Sequence, residues 1–425
     1  MLENERSTDK KMRALDREQF GMIIQYGLEL KSRDKPNVLH QQKATVIRPH
    51  RLTSGKEERV PNFFPTKLHL ALFLGAIAQE EEGGSFEGEE VTTVYPNRAT
   101  RHSKIIPRKI HQETKEDGST VFDLLIVTDM DNFAKVESQK WKWRAITRKG
   151  KLTLDAEKKN VNVEWDTESD QDIASGLNYK GRAMELSDLS EYNGHLLSPD
   201  DKTGMLYEIK DGKAIPWVFL NSGPGNTTKG MKVEWLTIRN DFLYAGGHGA
   251  EYRNENGDVV SEDPMWIKII TKRGEVRSKN WNRVFSRVRN EAGYPAPGYL
   301  THEAVQWSEK LQQWLFLPRK ASKTPYVESE DEKKGTNLLI KGTPDLKSFE
   351  VVRIGTEEVE HPDRGFSAFD FIPGTEDRLI AAIKSREVEG EDPESYITVF
   401  DVDGNVLMED MQLDGNYKFE GLYFV

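Results

Sequence analysis

From Phe122 onward the chain breaks into short apolar runs separated by turn residues. Phe122-Asp123-Leu124-Leu125-Ile126-Val127 is the first such run, and Asn193-Gly194, Asp211-Gly212, Asn256-Gly257 and Asp403-Gly404 are among the turns. Asn-Gly and Asp-Gly supply the positive φ that two-residue hairpin loops require, so the pattern predicts antiparallel strands joined by tight turns. Long helical periodicity is nearly absent. One helix is expected from Asn280 to Ala292, stopped by Gly293 and the Pro295/Pro297 pair. Residues 1–120 read differently: they are charged, they carry the Glu80-Glu81-Glu82-Gly83-Gly84 run, and their apolar spacing is irregular. The pattern therefore divides the chain into a low-order extension, 1–120, and a folded domain, 121–425.

Within that domain one arrangement recurs. "MELSDLSEYNGHLLSPDD", "VEWLTIRNDFLYAGGHG", "HEAVQWSEKLQQWLFLPRK" and "FSAFDFIPGTEDRLIAAIKS" each place a Glu or Ser before alternating apolar residues, a polar turn and an apolar strand, and "FEGLYFV" is a fifth copy cut off by the chain end. Aligned on Ser187, Glu234, Glu303, Ser367 and Glu420, the copies are 47, 69, 64 and 53 residues apart. A period near 60 residues with four strands per unit suits a propeller blade with a generous loop. The truncated copy needs a partner, which the strand Leu124–Val127 supplies across the ring closure. The expected fold is all-β, a five-bladed β-propeller.

In a propeller the innermost strand of each blade lines a central channel, so the five aligned positions point at one axis. Three glutamates converging there repel one another unless a cation sits between them. All-oxygen ligands in this number favour Ca²⁺ over Zn²⁺, and over Mg²⁺ in a roomy ring. The plainer alternative is a set of solvated residues at strand ends.

The 425 residues carry 71 acidic and 60 basic side chains, a formal charge of -11 that argues against a general nucleic-acid or anionic-membrane binder. The absence of cysteine excludes thiolate metal sites, thiol catalysis and disulfides. Residues 63–78 resemble a secretory signal, with Lys67, an apolar run and Ala76-Ile77-Ala78 before Gln79, although some 60 polar residues precede them. Secretory-pathway entry is expected, to the exterior or the ER/Golgi lumen, with membrane attachment only if the segment is an uncleaved anchor; a buried apolar segment is the other reading. Asn226-Thr227-Thr228 is a glycosylation acceptor pattern.

"KGRAMELSDL", "GKAIPWVFL", "KVEWLTI", "PGYLTHEAVQWSEKLQQWLFLPRKAS", "GFSAFDFIPGTEDRLIAAIKS" and "YKFEGLYFV" closely resemble the soluble calcium-activated nucleotidases, the apyrases of the bed-bug salivary type, from Phe122 to Val425. The resemblance implies a five-bladed propeller, a channel Ca²⁺, and hydrolysis of nucleoside di- and triphosphates to the monophosphate. It also implies the same five ligands, Ser187, Glu234, Glu303, Ser367 and Glu420, and Ca²⁺-promoted homodimers occur in that family. Asp129 and Asp131 match its DxD-like element, and alternation puts both on one strand face to position water. Arg182 is a candidate phosphate clamp and Glu185 a water-orienting group. Arg319 matches the FLPR arginine and suits a bidentate phosphate contact.

No Walker A motif is present, since Gly223-Pro224-Gly225-Asn226 lacks the Gly-Lys-Ser/Thr ending. Trp235 is a candidate to stack on a base, with a core role as the alternative. Gly246 and Gly247 would let a ligand approach the backbone, and His248 reads as an ordinary loop histidine. Ala183 stands where the family motif has glycine, which bears on substrate preference if that position needs positive φ. Two other readings stay open: a non-enzymatic propeller that binds a protein or glycan around a structural Ca²⁺, and a phosphohydrolase acting on sugar phosphates or lactones. The first is separated from a nucleotidase by whether Asp129, Asp131 and Arg319 share one channel mouth with the ring.

Overall fold

The computed structural model describes residues 104–254 and 258–425, with the backbone of a short strand, Glu90–Val91. The signal-like segment, the acidic run at 80–84 and the Asn256-Gly257 turn lie outside the described residues.

Among the described residues, five antiparallel sheets of four or more strands follow one another along the chain, with one small two-stranded ribbon, Tyr252–Arg253 with Val259–Ser261, beside them. The second blade runs outward through Ser190–Tyr192, His195–Pro199, Met205–Lys210 and Lys213–Phe219. The third uses Trp235–Arg239, Phe242–Gly246, Trp266–Ile270 and Val276–Asn280, with Glu90–Val91 added at its outer edge. The fourth uses Tyr299–Ser308, Gln313–Ser322, Leu338–Gly342 and Phe349–Arg353. The fifth uses Arg364–Phe371, Leu379–Arg386, Glu394–Asp401 and Val406–Gln412. The first blade is shared by the two ends of the domain: Lys418–Phe424 pairs with Thr120–Asp129, which continues to Trp143–Leu154 and Val161–Ser175. This is the closure that the truncated repeat required.

The core is divided among the blade interfaces. Leu124 and Ile126 pack with Ile383 and Ile397, Phe369 with Leu315, Trp235 with Val305 and Phe316, Leu197 with Leu236 and Leu243, and Val127 with Leu189 and Tyr207. Each pair of neighbouring blades thus buries one apolar layer, and the ring closes without a free inner edge. Polar braces add register between blades. The amide of Leu236 donates to Asp188 at 2.6 Å, and the amide of Trp307 to Thr237 Oγ1 at 2.8 Å. Upstream of 121, Arg108 pairs with Asp370 at 2.6 Å and lies over the Tyr423 ring.

The expected helix forms as Asn282–Glu291, buries Val284, Phe285 and Val288, and is followed by Gly293 at φ 85°. The Asn193-Gly194 and Asp211-Gly212 hairpins take positive φ at both residues. A feature hidden from the alternation pattern lies on the innermost strands. The ladder register breaks around Glu303, Ser367 and Glu420, leaving each as an extra, unpaired residue. A bulge of this kind bends the strand and re-aims one side chain, so three of the five aligned positions are turned by the same device.

Candidate active site

The three aligned glutamates are buried and linked by basic side chains. His248 Nε2 lies 3.0 Å from Glu234 and 3.1 Å from Glu303. Arg319 Nη1 contacts Glu303 and lies 2.9 Å from Glu420. Ser367 is fully buried and its hydroxyl donates to the carbonyl of Phe419, the neighbour of Glu420, at 3.0 Å. Ser187 occupies the entrance of the second blade, where its amide donates to the Pro199 carbonyl. Its hydroxyl is buried and has no hydrogen-bond partner among the described residues. Arg319 has room because Gly365 lacks a side chain: a Cβ there would meet Arg319 Cγ at 2.4 Å.

A second carboxylate group adjoins the first. Asp129, Glu185 and Asp201 each offer an oxygen within 4.8 Å of the others. A β-bridge pairs Asp129 with Glu185, and the Asp201 amide donates to the Glu185 carbonyl at 3.0 Å. Lys418 joins the two groups, lying 2.8 Å from Asp129, 2.6 Å from Asp131 and 3.7 Å from Glu420. Lys232 bridges Asp201 and Glu234. Asp129 and Asp131 are therefore joined to Glu420 through Lys418, and Arg319 touches Glu420 directly. Arg182 holds Glu185 at 2.5 Å and Asp131 at 2.7 Å through Nη2, while its Nη1 has no partner among the described residues.

Burial dominates the protonation behaviour. It raises Asp129, and Lys418 only partly opposes it. It pushes Glu185 up to about 7 against the pull of Arg182, and holds Asp201 and Glu420 well above the carboxylate range despite Lys232 and Lys418. Burial acts the same way on Asp131 and Glu303, but their partners outweigh it: the charges of Lys418 and Arg182 keep Asp131 low, and the charge of Arg319 with a hydrogen bond to His248 keeps Glu303 low.

Several expectations need correction. Trp235 is 0% exposed, packs on Trp281 at 6.0 Å and donates Nε1 to the Gly247 carbonyl at 3.0 Å, so it cannot stack on a base. Gly246 and Gly247 serve packing rather than a ligand. A Cβ on Gly246 would fall 1.9 Å from the Trp235 ring, and one on Gly247 would fall 2.7 Å from the Lys232 carbonyl. His248 is no ordinary loop histidine, given its place between two ring glutamates. Ala183 is buried among apolar neighbours, and the positive φ in this segment falls on Lys180, Gly181 and Met184 instead.

Asp201, Lys232 and Lys418 were missed. Asp201 was masked by Ser-Pro-Asp-Asp, which reads as a turn. The two lysines sit two residues before Glu234 and Glu420, a spacing shared by two copies that could have exposed them.

The family model described as Apyrase matches residues 130–425. The chain belongs to the apyrase family. It is 45% identical over 309 residues to the apyrase apy-1 of Caenorhabditis elegans, covering 73% of this chain and 86% of that protein. It is 40% identical over 328 residues to soluble calcium-activated nucleotidase 1 of Rattus norvegicus, covering 77% and 79%. It is 36% identical over 311 residues to the apyrase of Cimex lectularius, covering 73% and 84%. The apyrase match begins just after the strand Thr120–Asp129 of the first blade, so it includes Ser187, Glu234, Glu303, Ser367 and Glu420 and stops short of Asp129.

Proposed function

We propose that this chain hydrolyses nucleoside di- and triphosphates to the monophosphate and phosphate in a Ca²⁺-dependent reaction. The observation that supports the reading is the ion-pair network through which Arg182, Lys232, Arg319 and Lys418 join the ring glutamates to the Asp129/Glu185/Asp201 group. A protein-binding propeller has no need to assemble it.

Ca²⁺ fits the residues present. Ser187, Glu234, Glu303, Ser367 and Glu420 offer only oxygen, and the buried Ser187 hydroxyl lacks a partner. When bound, Ca²⁺ supplies charge neutralisation for phosphoryl oxygens. Arg182, with its side chain 30% exposed and Nη1 unengaged, faces the incoming phosphates and offers them a planar guanidinium. Lys232, 37% exposed, offers a second positive charge. Asp129, Glu185 or both orient the attacking water. Its oxygen bonds to the terminal phosphorus as the bridging P–O bond breaks, and its proton passes to one of these carboxylates. No covalent enzyme intermediate is required.

The test is phosphate release from UDP, GDP, ADP and ATP with Ca²⁺, with Mg²⁺ and with chelator, for the full chain and its Glu303→Gln variant. Release only with Ca²⁺, abolished in the variant, is expected and ranks the substrates. No release at millimolar Ca²⁺ from folded protein would overturn the reading. Secretory-pathway residence belongs to the same proposal, supported by the signal-like 63–78 segment and by Asn226, which is exposed in a turn. Glycosidase sensitivity of the cell-made protein tests it. Among the described residues no helix is long and apolar enough to cross a membrane.

A further inference from the structure

With Trp235 in the core, the site described so far has groups for phosphates and none for a base. We propose that Phe133 is the platform on which the nucleobase of the substrate stacks, an inference that rests on the nucleotidase reading above.

Exposed apolar side chains are common and singly mean little. Phe133 differs in where it stands and how it is held. It is 77% exposed, the most exposed large apolar residue among those described. It lies two residues after Asp131, so the two Cα atoms are no more than about 7.6 Å apart. Asp131 is clasped by Arg182 at 2.7 Å and Lys418 at 2.6 Å, the cations at the phosphate end of the site. A base is separated from its diphosphate by one ribose, which makes a platform just outside the phosphate contacts the natural place to meet it.

The backbone beneath the ring is fixed on both sides. Asp131–Ala134 forms one 3₁₀ turn. Asp129 accepts a hydrogen bond from the Asp131 amide at 2.8 Å, the Phe133 amide donates to the Met130 carbonyl at 2.8 Å, and Ala134 is fully buried. An aromatic ring on so constrained a turn loses little freedom when a ligand lands on it. Trp141, in the same connection between strands, is also exposed, but Lys140 Nζ lies 5.1 Å from its ring centre and takes one face. Among the described residues no ring or cation covers Phe133. Stacking on a lone aromatic face tolerates any base, which predicts broad base usage.

The experiment compares the full chain with its Phe133→Ala and Phe133→Trp variants in saturating Ca²⁺. Turnover of ADP and UDP is set beside turnover of inorganic tripolyphosphate, which has phosphates and no base, and α,β-methylene-ADP binding is measured at equilibrium. Phe133→Ala is expected to raise KM for both nucleotides about five- to tenfold with kcat nearly unchanged, and to weaken the analogue equally. Tripolyphosphate kinetics should not move, and Phe133→Trp should restore nucleotide KM. An unchanged analogue Kd in Phe133→Ala overturns the proposal, as does an equal loss on tripolyphosphate, which would place the effect in the Asp131 turn. If the parent chain releases no phosphate from any nucleotide, the nucleotidase reading falls by itself, and the binding comparison still decides Phe133.

Discussion

Trp235 and Glu234 are adjacent in the sequence and opposite in fate. Glu234 was legible because its type recurs with Glu303 and Glu420 at the same place in the repeat. The environment of Trp235 was not, since a tryptophan beside a channel serves the core or a ligand according to which way its ring turns. The structure turns it inward, so Trp235→Ala is expected to cost about 3–5 kcal/mol of stability, read as a lowered urea midpoint. Nucleotide KM in the folded fraction should stay unchanged. A raised KM at unaltered stability would return Trp235 to base recognition. His248 shows the opposite error, because its partners Glu234 and Glu303 come from two different blades and no local pattern connects them.

At the scale of elements, the strands and hairpins were readable from alternation and Asn-Gly or Asp-Gly turns, because both signals are local. The bulges at Glu303, Ser367 and Glu420 were not, since a bulge is defined against the partner strand. Lys268 in the strand Trp266–Ile270 is another case. Its side chain is 1% exposed and its ammonium donates to the Gly223 carbonyl at 2.6 Å and to Ser278 at 2.7 Å, with no ion pair among the described residues. Burial lowers it to about 8. A base with a depressed folded pKa binds fewer protons folded than unfolded between that value and about 10.4, so stability rises with pH across that window. Relative to Lys268→Met, the parent chain should gain stability from pH 8 to 10.5. Parallel pH profiles in urea unfolding would show the ammonium to be better solvated than the geometry indicates.

For the whole molecule, the ring is closed by Lys418–Phe424 from the C-terminus beside Thr120–Asp129 from the start of the domain. Deleting residues 418–425 removes Glu420, Lys418 and the inner strand of the first blade together, and is expected to abolish cooperative unfolding, followed by calorimetry. Ca²⁺ that binds only the folded ring stabilises it by mass action, about 2.7 kcal/mol at one hundred times Kd. A rise of several degrees in Tm is expected, absent with chelator and in Glu303→Gln; equal rises in parent and variant would place the ion elsewhere. The five-fold repeat, the strand pattern and the matching places of Glu234, Glu303 and Glu420 in it were determined by the sequence alone, because each copy repeats one local arrangement of side chains along the chain. Only the tertiary structure decided which carboxylates meet which cations, that Asp201 and Lys418 join the site, and that Trp235 leaves it. Those outcomes depend on contacts between blades far apart in the chain and on bulges that re-aim single side chains, and neither leaves a local trace.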